Sequence, residues 1–317
     1  MSSPRQFALD VVTALRGEGF EAFWAGGCVR DQLLGREPKD YDVATSARPD
    51  IVRALFGKRR TIAIGAAFGV IGVLGPRGSS PLEVATFRTD GVYRDGRHPD
   101  SVAFSDAEHD AQRRDFTING LFYDPVAELV VDYVDGQRDL AAGVVRAIGD
   151  PRRRFDEDKL RLLRAVRFAT TFDFEIEAAT LAAICDMAPQ TTIVSAERIG
   201  AELRRILANP NRALGMRLLG ETNLLEAVAP ELAGALAEPT AWEAALGRLE
   251  NLAVESLPAA LALATVDRFS PPAVRELCRT WRLTNKEGRL AEWLVLDFSE
   301  IRRPADLPSA PLQRGVV

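Results

Sequence analysis

Much of what would fix a protein's chemistry early is scarce in this chain. Its 317 residues hold two histidines and three cysteines. Cys28, Cys185 and Cys278 are far apart and show no CxxC spacing, which excludes a zinc site of the usual pattern and a disulfide framework, and leaves three small hydrophobes. His109-Asp110 has the look of a metal phosphohydrolase dyad, but that class needs more histidines than His98 and His109 supply. No apolar run approaches the length of a membrane span, about 18 residues, and the N-terminus lacks the basic, apolar, small-residue order of a signal peptide, so a cytoplasmic location is expected. There is no fixed-period repeat and no low-complexity tract. A net charge of −5 excludes a uniformly basic coat for nucleic acid.

What is present is an ordinary globular composition, 47% hydrophobic and 27% charged, in a chain too long for one core. Charge of one sign does collect locally. Between 146 and 167, eight arginines and lysines face four acids, which is either a basic patch or a solvated helix face.

The pattern changes near residue 150. Before it, short β-branched and aromatic runs alternate with Gly, Pro and Asp turns, as in "FEAFWAGG", "YDVAT", "LEVATF" and "LVVDYV", with helical spacing in "VRDQLLG" and "PDIVRALFG". After it, long stretches rich in Ala, Leu, Glu and Arg predict helices, and Thr284 with Glu287 forms a capping-box pattern. The expected architecture is α+β: a mixed sheet with helices over 1–150, a helical segment over 151–230 and a helical body over 231–317, whose proline-rich end is expected to be loop.

"KDYDVAT" places two carboxylates on one side of a strand, Asp40 and Asp42, with Tyr41 and Val43 facing the other layer. Such a pair repels unless a cation intervenes, and Mg²⁺ takes one or two carboxylates with substrate phosphates and water. Two-metal chemistry requires a third carboxylate, for which Glu83 in "PLEVATFR" is the candidate. A solvated strand end is the plain alternative. Gly26 and Gly27 lie between a strand and a helix, where backbone with no Cβ in the way lets amides approach a triphosphate; Arg30 would add charge and Asp31 would anchor it. A tight corner explains the glycines equally well.

In "RRDFTING", Arg114, Asp115 and Asn119 can hydrogen-bond a ribose 2′-hydroxyl, and a capped turn is the alternative. In "EDKLR", Asp158 and Arg161 are three apart, within reach of one bound base if helical. The carboxylate accepts from the amine of cytosine or adenine, and the guanidinium donates to the neighbouring ring acceptor. Uracil and guanine would leave Asp158 unpaired. Glu157 and Arg161 also make an ordinary i,i+4 helix pair.

"GGCVRDQLLGREPKDYDVAT", "RRDFTING" and "RFDEDKLRLLRAVRFA", in this order, closely resemble the class II tRNA nucleotidyltransferase and bacterial poly(A) polymerase family. The resemblance implies a polymerase-β-like nucleotidyltransferase head followed by a helical neck and body, with the tail short or missing. It implies template-independent addition of CMP and AMP, from CTP and ATP, to the 3′ end of tRNA with Mg²⁺. By motif match, Gly26, Gly27, Arg30 and Asp31 contact the triphosphate, and Asp40 and Asp42, with Glu83, bind metal. Arg114, Asp115 and Asn119 meet the ribose, and Asp158 and Arg161 select the base. A polar loop between Arg88 and Arg113 carries Asp90, Arg94, Asp95 and Arg97, candidates for the switch from C to A addition. The "GAAFGV" segment resembles the tRNA enzymes more than the poly(A) polymerases. An A-adding enzyme, a poly(A) polymerase and a non-catalytic RNA-binding relative stay open as alternatives.

Overall fold

The structure of the chain, a computed structural model, describes residues 3–76, 79–91, 93, 100–266 and 268–301. Arg94, Asp95 and Arg97 lie outside the described residues. Two compact units divide it: Met1–Asp158 with Glu175–Thr180, and Lys159–Phe174 with Leu181–Val317.

The strands of the first unit are β1 (Ala22–Ala25), β2 (Asp42–Thr45), β3 (Thr61–Gly65), β4 (Val70–Val73), β5 (Leu82–Thr86), β6 (Arg88–Asp90), β7 (Val102–Phe104), β8 (Phe122–Asp124), β9 (Leu129–Val131), β10 (Val144–Val145) and β11 (Glu175–Ile176). Seven of them form one sheet in the order β3-β4-β5-β2-β1-β8-β9. Only the central β2–β5 pairing is parallel, because a helix and a hairpin intervene between those two strands; the other pairings of this sheet are antiparallel. The mixed sheet expected from the short β-branched runs is therefore present.

Helices α1 (Pro4–Gly17), α2 (Gly27–Leu33), α3 (Pro49–Phe56), α4 (Ala107–Gln112), α5 (Gly136–Ala142) and α6 (Pro151–Glu157) complete this unit. Proline opens α1, α3 and α6, where its missing N–H costs nothing. Aspartates 106 and 150 cap α4 and α6 by accepting from the amides of His109 and Arg153 at 2.9 and 3.1 Å. Strand alternation sorts the side chains. Ala25, Ala44, Phe87 and Phe122 pack with Ala107 and Ala111 of α4, while Trp24, Tyr41 and Val43 are buried on the opposite face, with the Trp24 and Tyr41 rings edge to face at 4.9 Å.

The second unit is helical. Its helices are α7 (Leu160–Phe172), α8 (Ala178–Met187, which begins in the first unit), α9 (Ala196–Leu207), α10 (Arg212–Glu221), α11 (Leu224–Val228), α12 (Pro230–Ala235), α13 (Pro239–Glu250), α14 (Leu257–Thr265), α15 (Pro271–Thr280) and α16 (Asn285–Ile301). Arg167 of α7 reaches Glu202 of α9 at 2.5 Å, and Glu202 is 3% exposed, so a buried charge is paired rather than stranded. The predicted capping box forms. Thr284 Oγ1 and its amide both donate to Glu287, at 2.7 and 2.9 Å, and the Glu287 amide returns a bond to the hydroxyl at 3.3 Å.

Two local expectations are corrected. β2 begins at Asp42, so Asp40 sits in the bend before the strand, although the alternation of exposed Asp40 and Asp42 with buried Tyr41 and Val43 survives. "EDKLR" is not one helix. α6 ends at Glu157, Asp158 is extended at φ −147°, ψ 108°, and α7 starts at Leu160, so the three-apart and four-apart spacings within it are not helical ones. Glu157 pairs backward with Arg154 at 2.9 Å.

Candidate active site

The carboxylates meet because two strands far apart in sequence pair in register. Asp42 stands opposite Glu83 in the parallel β2–β5 ladder, and laterally paired residues project to the same face. Asp40, Asp42 and Glu83 all line one cavity of about 740 Å³, with Lys39, Ile64 and Pro81 among the other walls. Asp42 opens onto this cavity, yet the surrounding protein strips away much of its water. That desolvation, then the negative charges of Glu83 and Asp40, push its carboxyl up to about 6 against the pull of Arg114. Asp42 thus feels both neighbouring acids. Among the described residues, however, no three acidic, histidine or cysteine side chains are gathered closely enough to hold a metal ion as they stand.

The glycine corner follows β1. Gly26 has φ +70°, ψ −123°, a conformation that glycine alone adopts without strain, and a Cβ there would stand 3.0 Å from Nη1 of Arg114. Its amide is already committed, donating to the Leu121 carbonyl at 3.0 Å, so of the two glycines it is not Gly26 whose N–H meets a ligand. Arg30 is 8% exposed. Its Nε and Nη2 donate to Asp31 at 2.9 and 2.7 Å, and its Nη1 to the side-chain oxygen of Asn119 at 2.5 Å. Asp31 anchors Arg30 as expected.

Asn119 carries this link into the second motif. Its Nδ2 donates to Asp115 at 3.1 Å, and the same Asp115 oxygen accepts the Phe116 amide at 2.8 Å. Residues 89 positions apart in the chain, Arg30 and Asn119, are therefore directly bonded, and Asp31–Arg30–Asn119–Asp115 runs as one buried or half-buried polar chain. All of its members were predicted site residues; their mutual contact was not predicted.

Arg114 lies between the two halves of the site. Its guanidinium sits 5.0 Å above the Phe122 ring, donates to the Asn119 carbonyl at 3.4 Å and lowers the pKa of Asp42 by its charge. What fixes it is a residue sequence reasoning passed over. Asp110, 1% exposed, accepts from Arg114 at 2.9 and 3.2 Å through one oxygen and from Arg113 at 2.7 and 2.9 Å through the other. Burial raises its carboxyl, but Arg114 and Arg113 outweigh that and hold it below the usual carboxylate range. The signal was available: Asp110 precedes the arginines by three and four positions, the contact spacing of a helix. Arg113 continues to Asp90 at 3.5 Å, and Asp90 accepts from the Tyr93 hydroxyl at 2.6 Å, so one candidate of the polar loop joins the same ion-pair ladder.

Cys28, beside the site, is no nucleophile at neutral pH, since burial pushes its thiol up to about 11. Asp158 and Arg161 fall in different compact units, Asp158 as the last residue of one and Arg161 in the first turn of α7 in the other. Among the described residues no helix is long and apolar enough to cross a membrane, and all three cysteines are free thiols.

The Poly A polymerase head domain family matches residues 22–146, and the family described as the probable RNA and SrmB-binding site of polymerase A matches residues 173–236. A CCA-adding enzyme of Enterococcus faecalis is 38% identical over 290 residues, covering 89% of this chain and 68% of its own length. That of Geobacillus stearothermophilus is 36% identical over 327 residues, covering 100% and 77%. The crystal structure of the Bacillus stearothermophilus CCA-adding enzyme in complex with CTP superposes with a TM-score of 0.81 at 33% identity, covering 97% of this chain and 73% of that one. The head fold, the matched neck segment and these relatives together assign the chain to the CCA-adding enzyme and poly(A) polymerase family of nucleotidyltransferases, a family that is generally metal-dependent.

Proposed function

We propose that this chain adds CMP and AMP, from CTP and ATP, to the 3′ end of tRNA in the cytoplasm. The observation that carries this reading is the in-register pairing of Asp42 with Glu83, beside Asp40, within reach of the charge of Arg114. The transfer forms a bond between the tRNA 3′-oxygen and the α-phosphorus, and breaks the bond from that phosphorus to the departing pyrophosphate. Lys39, Asp40, Asp42 and Glu83 supply both signs of charge to the cavity in which it happens.

The donor set fits Mg²⁺. Three carboxylates, hard oxygen ligands lining one cavity, two of which raise the pKa of the third, are what that ion takes from a protein when it also binds phosphate. Asp40, Asp42 and Glu83 would hold it, and when bound it supplies charge for the attacking oxygen and the phosphates. Arg114, fixed by Asp110 and Phe122, neutralises phosphate charge without needing to reorganise. Gly26 leaves Arg114 room, and Gly27, whose missing Cβ would sit 3.6 Å from Nη2 of Arg30, keeps the corner open to the triphosphate. Arg30 acts through Asn119, whose amide, with Asp115, addresses the ribose. Asp158 and Arg161 select cytosine and adenine by accepting from the exocyclic amine and donating to the ring acceptor.

The test is to offer tRNAs ending one, two or three nucleotides short of their CCA end, with CTP and ATP, and to sequence the products. Completion of CCA on all three is expected. Addition of A alone to ends already carrying CC would make this an A-adding enzyme, long A tracts on unrelated RNA a polymerase, and no addition a binding protein.

A further inference from the structure

The acid-lined cavity extends in a direction that the triphosphate motifs do not use. Gly26, Asn119 and Arg114 all lie toward β1 and β8, on one side of β2; Arg114 rests on Phe122, which pairs with Ala25 of β1. On the other side of β2 the register continues as a row: Asp42 opposite Glu83, Glu83 opposite Gly72, and Gly72 opposite Ile62. Gly72 has no side chain, and Ile64 folds into the space. A Cβ on Gly72 would come within 2.6 Å of Ile64 Cδ1 and 3.2 Å of Pro81 Cβ. The result is a low apolar step beside Glu83, on which Ile64 is 50% exposed, and Ile64 and Pro81 line the same cavity as the carboxylates.

In-line displacement at phosphorus requires the entering and leaving oxygens on opposite sides. A triphosphate that runs from Arg114 toward Asp42 leaves toward β1 and β8, so the attacking hydroxyl must come from the side of β5 and β4. Gly72 is two strands from Asp42, about 10 Å, a separation suited to a ribose whose 3′-oxygen is at the carboxylates and whose base lies over the step. Lys39, on the cavity rim, offers an ammonium to the phosphate behind that ribose. We propose that Ile64 and Pro81, laid over the bare Gly72, seat the 3′-terminal nucleotide of the acceptor RNA. This inference rests on the nucleotidyl-transfer reading above and names the positioning surface for its second substrate. An apolar step without hydrogen-bonding groups suits that task, because the end it accepts must change as nucleotides are added.

The experiment measures initial rates with the full chain, a tRNA lacking only its last nucleotide, and ATP, varying each substrate separately. Replacing Ile64 by Ser should raise KM for the tRNA roughly tenfold, the loss of most of one side chain's apolar contact, while KM for ATP stays within about twofold of wild type. Ile64→Leu should restore the tRNA KM, which loss of the protein's stability would not explain, and thermal melts of both variants check the fold. A rise in KM for ATP instead would mean that the incoming base occupies the step, and an unchanged tRNA KM would mean that the acceptor passes elsewhere; either overturns the proposal while leaving the transfer reading intact. Absence of transfer by the wild-type chain would remove both.

Discussion

Asp42 and Glu83 are register partners in the parallel pairing of β2 with β5, so their carboxylates leave the sheet side by side on one face. This makes Glu83 the expected third acid of the site rather than a solvated strand residue. Glu83→Gln keeps the size and removes the charge. It should lower nucleotidyl transfer on the order of a hundredfold or more, with equilibrium binding of CTP little changed; wild-type rates in the variant would return Glu83 to the role of an ordinary exposed residue.

The Arg30–Asn119 bond predicts a discrimination effect at a distance. Asn119→Ala frees one arm of a buried guanidinium and removes a ribose-facing amide, a loss of about 1–3 kcal/mol. The preference for CTP over dCTP should shrink by about tenfold or more, as read from the ratio of kcat/KM values. Arg30→Lys, which cannot span Asp31 and Asn119 with one planar fork, should show the same effect in weaker form.

Asp110 ties acid stability to the site. Its folded pKa lies below the unfolded value, so its contribution is fully present above the unfolded carboxylate pKa, near 4, and is lost as pH falls through the folded value. Asp110→Asn should therefore lower the midpoint of chemical denaturation at pH 7 by an amount that shrinks as the pH is taken below about 4. A destabilisation independent of pH would show that the pairing with Arg113 and Arg114 adds nothing beyond packing.

Gly26 tests the corner. Alanine there must adopt φ +70° and crowd Arg114 at 3.0 Å, a cost of about 1–3 kcal/mol from backbone strain. Both a lower Tm and a raised KM for nucleotide are expected, whereas Gly35→Ala, also at positive φ but with open space around it, should show only the first.

Asp158→Ala should relax the choice of base. Transfer from UTP or GTP, expected to be at background in wild type, should become measurable relative to CTP; continued complete exclusion would remove Asp158 from base selection.

Some of this was legible in the sequence and some was not, for physical reasons that differ. The alternation of Asp40, Tyr41, Asp42 and Val43 is a property of four adjacent residues, and the structure buries the two expected to be buried. The Thr284–Glu287 box is equally local. The pairing of Asp42 with Glu83 is not local, since it depends on a parallel register set by chain 41 residues away; the sequence supplied the candidate and not the partner. The helical spacing read into "EDKLR" fails at Asp158, a residue of low helix propensity, where the chain leaves the helix between α6 and α7. Asp110 was weighed as a metal ligand and set aside for lack of histidines, when its helical spacing to two arginines already named its partners. The step at Ile64 depends on an absence, the missing side chain of Gly72 on a neighbouring strand, which no pattern within one strand reveals.

The central claim is that the face bearing Asp40, Asp42 and Glu83 is where a nucleotide is joined to RNA. The most direct measurement is transfer of α-labelled CMP from CTP to a tRNA lacking its CCA end by wild-type protein and by Asp42→Ala, with circular dichroism and thermal melts of both. Asp42 opens onto the cavity, so the variant should fold and melt like wild type while transfer falls to background. A folded Asp42→Ala protein that still labels the tRNA at an appreciable rate would contradict the account.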